Sequence, residues 1–178
     1  PETPKKKLGV TVASSRKASA TKKQVLNEGA TVATQAGGNL WMQLPDGSRA
    51  GLTGASEVKL ATLEEKSLTL DIAKGNLAMV VPHREDRVLT VRAGDLEVKD
   101  LGTRFLVSRE PTHTFVAVDE GVVEVKTPAG TREVRAGHAV TWRDGKLTEL
   151  DWAPVATAPV VEKQPVARYQ SMDELLQA

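Results

Sequence analysis

Residues 115–127 read FVAVDEGVVEVKT, and they hold two short runs of alternating character around a polar break. Val116 and Val118 are in phase, Asp119-Glu120-Gly121 interrupts them, and Val123 and Val125 resume the pattern. Successive side chains on an extended strand point to opposite faces, so this spacing predicts strand, glycine turn, strand. The same grammar extends outward in both directions. "SLTLDI" puts Leu68, Leu70 and Ile72 on one face against Ser67, Thr69 and Asp71 on the other. "LEVKDLGTRFLV" sets Leu96 and Val98 before a turn at Leu101-Gly102, then Thr103, Phe105 and Val107 after it. Residues 57–66 come nearest to a helical pattern but read as a strand, "EVKLA", followed by a polar turn. From Leu8 to Trp152 turn signals recur at short intervals, which predicts an all-β body.

Two glycine series run through that body. Arg49-Ala50-Gly51, Arg92-Ala93-Gly94 and Arg135-Ala136-Gly137 are each 43 residues apart, and Gly29, Gly75 and Gly121 are each 46 apart. These spacings predict about three decayed repeats of several strands, stacked into an elongated double-layered or solenoid-like β body with flexible tails. The first copy is the weakest, because its turn falls at "PDGS" and Arg49-Ala50 then start the next strand.

The chain has 178 residues, 40% of them hydrophobic but only 3% aromatic, so its core must be built from aliphatic side chains. So few rings argue against a stacking surface for single-stranded nucleic acid or sugar. Of 24 basic side chains, seven lie in the first 23 residues beside a single acid, Glu2, which leaves the body net acidic. A basic arm on an acidic body is not a nucleic-acid footprint, though it suits an anionic membrane surface or plain solvation. There is no cysteine, so disulfides and thiolate ligands are excluded. No apolar run is long enough to span a bilayer, and Pro1 is no natural start. The sequence is expected to be a piece of a longer protein, with any signal or membrane helix upstream.

Candidate chemistry is sparse. His83, His113 and His138 share no metal-ligand spacing, and His83 and His113 fall in turns. His138 follows the third Arg-Ala-Gly, where a cupin barrel places a metal-binding histidine, but the rest of that motif is missing. The acidic pairs Glu64-Glu65, Glu85-Asp86 and Asp119-Glu120 are sequence neighbours, so on strands their carboxylates diverge. No nucleophile elbow or phosphate loop occurs. Asp46-Gly47-Ser48 fits a tight turn, in which aspartate bonds amides two residues on. No catalytic residue, metal ligand or cofactor is expected.

The turns together carry a family resemblance. Leu101-Gly102-Thr103-Arg104-Phe105-Leu106-Val107 is followed by Val116, Val118, Glu120, Gly121, Val123 and Val125, then by Val134, Ala136, Gly137 and Val140. Upstream stand Gly29 through Thr34 and the Asp46-Gly47-Ser48 turn, with Ser56 on the strand after it. From about Leu8 to Trp142 this resembles the FecR domain of bacterial envelope proteins. The resemblance implies a periplasmic β domain, usually tethered to the inner membrane, whose best-known members relay an outer-membrane transporter's signal to a cytoplasmic sigma factor. The family-motif residues it marks are Asp46, Gly47, Ser48, Gly102, Thr103, Arg104, Phe105, Glu120, Gly121 and Gly137. The cytoplasmic segment, membrane helix and small transporter-contacting domain of such regulators are not found in this stretch.

The expected organisation is a basic linker at 1–7, the β domain at 8–152, a Pro/Ala/Val-rich linker at 153–170 and a short amphipathic segment at 171–178. In that last segment, "SMDELLQA", Ser171 and Glu174 have capping-box spacing, and Met172, Leu175 and Leu176 share one side. It reads as a partner-docking motif or the start of a following domain. The expected function is a non-enzymatic periplasmic binding or scaffolding module. Its partner would be an envelope protein or, less favoured, a cell-wall polysaccharide, with no nucleic acid. A FecR-type sigma-factor regulator is the first alternative and a cupin-like metalloenzyme centred on His138 the second.

Overall fold

A computed structural model of the chain describes residues 10–15 and 24–153. The readings of residues 1–7, 154–170 and 171–178, Met172, Leu175 and Leu176 included, lie outside the described residues. Within them every regular element is a strand. In chain order these are β1 (Val10–Ser15), β2 (Gln24–Leu26), β3 (Thr31–Ala33), β4 (Asn39–Gln43), β5 (Arg49–Leu63), β6 (Ser67–Val80) and β7 (Val88–Ala93). There follow β8 (Leu96–Asp100), β9 (Arg104–Arg109), β10 (Thr114–Glu120), β11 (Val122–Thr127), β12 (Gly130–Arg135), β13 (His138–Arg143) and β14 (Lys146–Asp151).

Two long strands organise the fold. β5 and β6 pair antiparallel along their length, with irregularities between Thr53 and Val58 and again after Leu60. Beyond this pair the sheet forks. The first half of β5 and the second half of β6 belong to a front layer in the order β2-β1-β4-β5-β6-β9-β10-β13-β14. Their other halves belong to a back layer in the order β3-β5-β6-β7-β8-β11-β12. All these pairings are antiparallel except β6 with β7.

The fork sits where the chain can bend. Gly54 and Gly75 have φ of +66° and +91°, left-handed values that suit glycine. A Cβ on Gly75 would stand 2.5 Å from the Cα of Ser56 and 2.6 Å from its Cβ, so nothing larger fits. The buried Ser56 hydroxyl repairs the broken ladder: it accepts from the Asn76 N–H at 2.8 Å and donates to the Thr53 carbonyl at 2.6 Å. The Thr34 hydroxyl donates to the Gly54 carbonyl and accepts from the Ser56 N–H at 3.1 Å. A polar group left unpaired inside a protein costs about 1–3 kcal/mol, so two short side chains make the bend tolerable.

Between the layers lies one continuous apolar core. Met42, Leu52, Leu77, Met79, Phe105, Val107 and Val116 reach it from the front, and Val58, Leu70, Ile72, Val91, Val98, Val123 and Val125 from the back. Leu68, Leu70 and Ile72 all face inward, as their alternation requires. After β6 the chain builds antiparallel hairpins alternately in the back (β7–β8), front (β9–β10), back (β11–β12) and front (β13–β14). Three crossings carry it from one hairpin to the next, at Gly102, Gly121 and Gly137, each with positive φ.

The all-β, double-layered expectation therefore holds. The threefold repeat is not confirmed, because its copies occupy unlike places. Gly51 lies inside β5, Gly94 in a hairpin turn and Gly137 at a layer crossing. Likewise Gly29 is in a loop, Gly75 at the strand bend and Gly121 at a crossing. Glycine is wanted wherever the backbone turns sharply, and here dissimilar corners share the same spacings. The turn at Asp119–Gly121 is also no hairpin, since β10 pairs with β9 and β13 while β11 pairs with β8 and β12.

Candidate functional site

The three crossings lie together at one end of the body, and the family-motif residues gather there. A Cβ on Gly121 would come within 2.9 Å of Thr103 Cγ2 and closer still to the Gly102 carbonyl. A Cβ on Gly102 would meet the ring of His83 at 2.6 Å. The Ala136 N–H donates to the Gly121 carbonyl at 2.9 Å, and the Gly137 N–H to the Val118 carbonyl at 3.0 Å. Thr103 and Val81 exchange backbone hydrogen bonds at 2.8 and 3.1 Å, which ties the β8–β9 corner to the end of β6.

The Asp46-Gly47-Ser48 turn joins β4 to β5 at this end. Asp46 accepts from the Ser48 N–H at 2.9 Å and from its hydroxyl at 2.7 Å. The same carboxylate is ion-paired with Arg87, and the two side chains are only 3% and 2% exposed. Arg87 also donates to Ser48 Oγ at 3.1 Å and to the Pro82 carbonyl at 2.7 Å. One guanidinium thus fastens the loop before β7 onto the motif turn. At the neighbouring corner Asp100 accepts from the Thr103 hydroxyl and, at 3.1 Å, from the Gly102 N–H. Burial raises the Asp100 carboxyl above the ordinary aspartate value against the pull of those hydrogen bonds and of Arg87.

Of the sequence-marked residues, Asp46, Ser48, Gly102, Thr103, Gly121 and Gly137 take part in this cluster. Phe105 is fully buried in the core, and Glu120 is exposed beside Gly121. Arg104 is half-buried, paired in register with Val80 on the outer side of β9. Arg87 and Asp100 were not marked from the sequence. Nothing local distinguishes Arg87 from the charged loop around it, where Arg84 and Asp86 form an exposed pair.

His138 follows Gly137 at the start of β13, its side chain 44% exposed, with Nδ1 3.6 Å from Glu149 and 3.9 Å from Asp151. Among the described residues no group of three or more His, Asp or Glu side chains is placed to hold a metal. That placement gives the cupin-like alternative no ligand set to build on. No helix among the described residues is long and apolar enough to cross a membrane.

The outer faces of the two layers differ in kind. On the back layer the register runs Lys59, Asp71, Arg92, Glu97, Lys126, alternating in sign across five strands. Arg92 stands 4.0 Å from Asp71 and 3.9 Å from Glu97. That is a face built for water. On the front layer Trp41 pairs with Gly51, then Ala78 and Leu106. The same line continues through Ala117 and Ala139 to Leu150. Ala78 and Leu106 with Trp41, Val80 and Phe115 form a second apolar cluster, separate from the core. Arg49 lies over the Trp41 ring, 4.7 Å from its centroid. Trp152 crosses the other end, donating to Asp119 at 2.7 Å and meeting Phe115 edge-on at 5.5 Å.

The fold has solved counterparts. Two crystal structures of a protein from Parabacteroides distasonis, named there as an anti-sigma factor, superpose with TM-scores of 0.64 and 0.63 at 21% and 20% identity. Each comparison covers 68% of this chain and 59% of the other, so the chain spans under two thirds of that protein's length. At that identity the likeness is one of fold. A search of curated proteins finds no match. The model of the FecR protein family matches residues 30–124, from the loop before β3 to the start of β11. That span contains both bends of the long strands, the Asp46 turn with its Arg87 partner, and two of the three layer crossings, and over it this chain belongs to the FecR family.

Proposed function

We propose that the chain is the periplasmic β module of a FecR-type regulator, acting through protein contact rather than by catalysis. The family match over residues 30–124 carries this reading. The fold shared with a protein named as an anti-sigma factor supports it. In this reading the module receives a signal from an envelope partner, such as an outer-membrane transporter, and the intact protein passes it to a cytoplasmic sigma factor. A membrane tether, in this reading, holds the module in the periplasm. The buried ion pair and stacked corners suit the role, because a relay needs a body that moves as one piece.

The test is made in the cell with the intact protein. Removing residues 24–153 from its gene is expected to change a discrete set of transcripts that share one promoter type. If the transcriptome stays unaltered while envelope integrity falls, the module is a scaffold and the regulatory reading fails.

A further inference from the structure

We propose that β14, together with Trp152, is a detachable strap: it opens from β13 while the rest of the body stays folded, and Trp152 is the clasp that holds it shut. The inference concerns a conformational device of this chain and stands independently of the regulatory reading.

The weak hold is legible in the register. Among the described residues β14 pairs with β13 alone. Residues directly opposite in an antiparallel ladder share a face, so Leu147, Glu149 and Asp151 lie on the same side as Trp142, Val140 and His138. That side is turned to the core, which holds both Val140 and Trp142. The three inward places on β14 thus carry one apolar side chain and two carboxylates. Leu147 is half-buried and the other five residues of the strand are exposed. β12, the edge of the back layer, differs in burying Val134 against the core. Inward charge on an edge strand discourages further pairing, and here it also leaves β14 little apolar area to lose on opening.

What fastens the strap lies at its rim and its end. Glu149 is ion-paired with Arg132 of β12, both side chains open to water, and His138 faces Glu149 and Asp151 from β13. Exposed pairs of this kind hold little on their own. Trp152 does more. Its backbone N–H donates to the Gly137 carbonyl at 2.8 Å. Its indole reaches past β13 to β10, donating to Asp119 at 2.7 Å and meeting the Phe115 ring edge-on at 5.5 Å. One residue beyond the strand thus ties it to the two strands inward of it.

Opening the strap leaves the body intact. β13 keeps its pairing with β10 from Thr114–Trp142 to Val118–His138, and the long strands and the Asp46–Arg87 pair lie elsewhere. A unit with few buried apolar contacts opens at a lower free energy than the whole domain. With β14 away, β13 becomes the edge of the front layer. An edge of that kind takes up an extended strand from another chain through backbone hydrogen bonds.

Residue-resolved amide hydrogen exchange of the 178-residue protein, in water and in urea below the unfolding transition, tests this. Amides of β14 are expected to be about a hundredfold less protected than those of β10. Their exchange should be nearly independent of urea, whereas that of β10 should rise with it, because only whole-body opening exposes a large surface. Leu70→Ala, in the core on the back layer, should speed exchange in β10 and leave β14 unchanged. Trp152→Ala should speed β14 by about tenfold, through loss of one side-chain hydrogen bond and one edge-on ring contact. If β14 shares the protection and urea slope of β10, or gains as much speed from Leu70→Ala, it unfolds only with the body and the proposal is overturned. Unchanged β14 exchange in Trp152→Ala overturns it too, since Trp152 is then no clasp. The urea series on the unaltered chain decides the first point even where a variant does not fold.

Discussion

At the scale of single residues, burial decides which charges matter. Arg84–Asp86 and Arg87–Asp46 are both arginine–aspartate pairs anchored in one loop, but the first is 42% and 58% exposed and the second 2% and 3%. Water replaces the first pair almost without loss. The second has no such substitute: Arg87→Met would leave the Asp46 charge enclosed without its partner. Breaking a buried pair from one side costs about 3–5 kcal/mol, and Arg87→Met is expected to fall in that range by urea unfolding. Arg84→Met should leave the midpoint where it is. Asp46→Asn with Arg87→Met should be less destabilised than the sum of the single variants, because it buries no lone charge. A double variant at or beyond that sum would mean that Arg87 acts through packing alone. From the sequence the Asp46-Gly47-Ser48 turn was legible, since each of its residues has a local reason to be there. Arg87 was not, because its partner lies 41 positions away and its neighbours look equally charged.

At the scale of elements, alternation named the strands and glycine named the corners, but neither told a hairpin from a crossing. Gly94 and Gly121 both have positive φ, yet one closes a hairpin within a layer and the other sends the chain to the opposite layer. What separates them is long-range pairing, which leaves no local trace in sequence. The bend in the long pair was equally hidden, since Gly54 and Gly75 read as separate turn glycines and nothing local marks them as one bend in two continuous strands. The two bends also make a test of steric against conformational demand. Both have left-handed φ, which costs a residue with a side chain about 1–2 kcal/mol. A Cβ on Gly54 meets nothing within 4 Å, whereas one on Gly75 runs into Ser56. Gly54→Ala should therefore lose only that conformational amount, and Gly75→Ala clearly more, by thermal or urea unfolding. Equal losses would mean that the approach of Ser56 to Gly75 is not tight.

At the scale of the molecule, the question is whether two layers make one folding unit or two. Each layer has its own hairpins and its own outer face, and a pair of independent sheets would give two transitions. Two features oppose that. β5 and β6 run through both layers, so neither layer can lose these strands without unzipping the other. The inner side chains of both layers also form a single core, so opening one strips apolar cover from the other at about 25 cal/mol per Å² exposed. The tryptophans give a layer-specific probe: Trp41 is in β4, Trp142 in β13 and Trp152 against β10, all on the front layer. Tryptophan fluorescence therefore reports the front layer, while far-ultraviolet circular dichroism reports both. The two are expected to follow one urea curve, with the same midpoint and slope. Leu70→Ala in the back layer should move the fluorescence midpoint as far as the dichroism midpoint, although no tryptophan shares its layer. A fluorescence midpoint that stays fixed while dichroism shifts would mean that the layers fold apart.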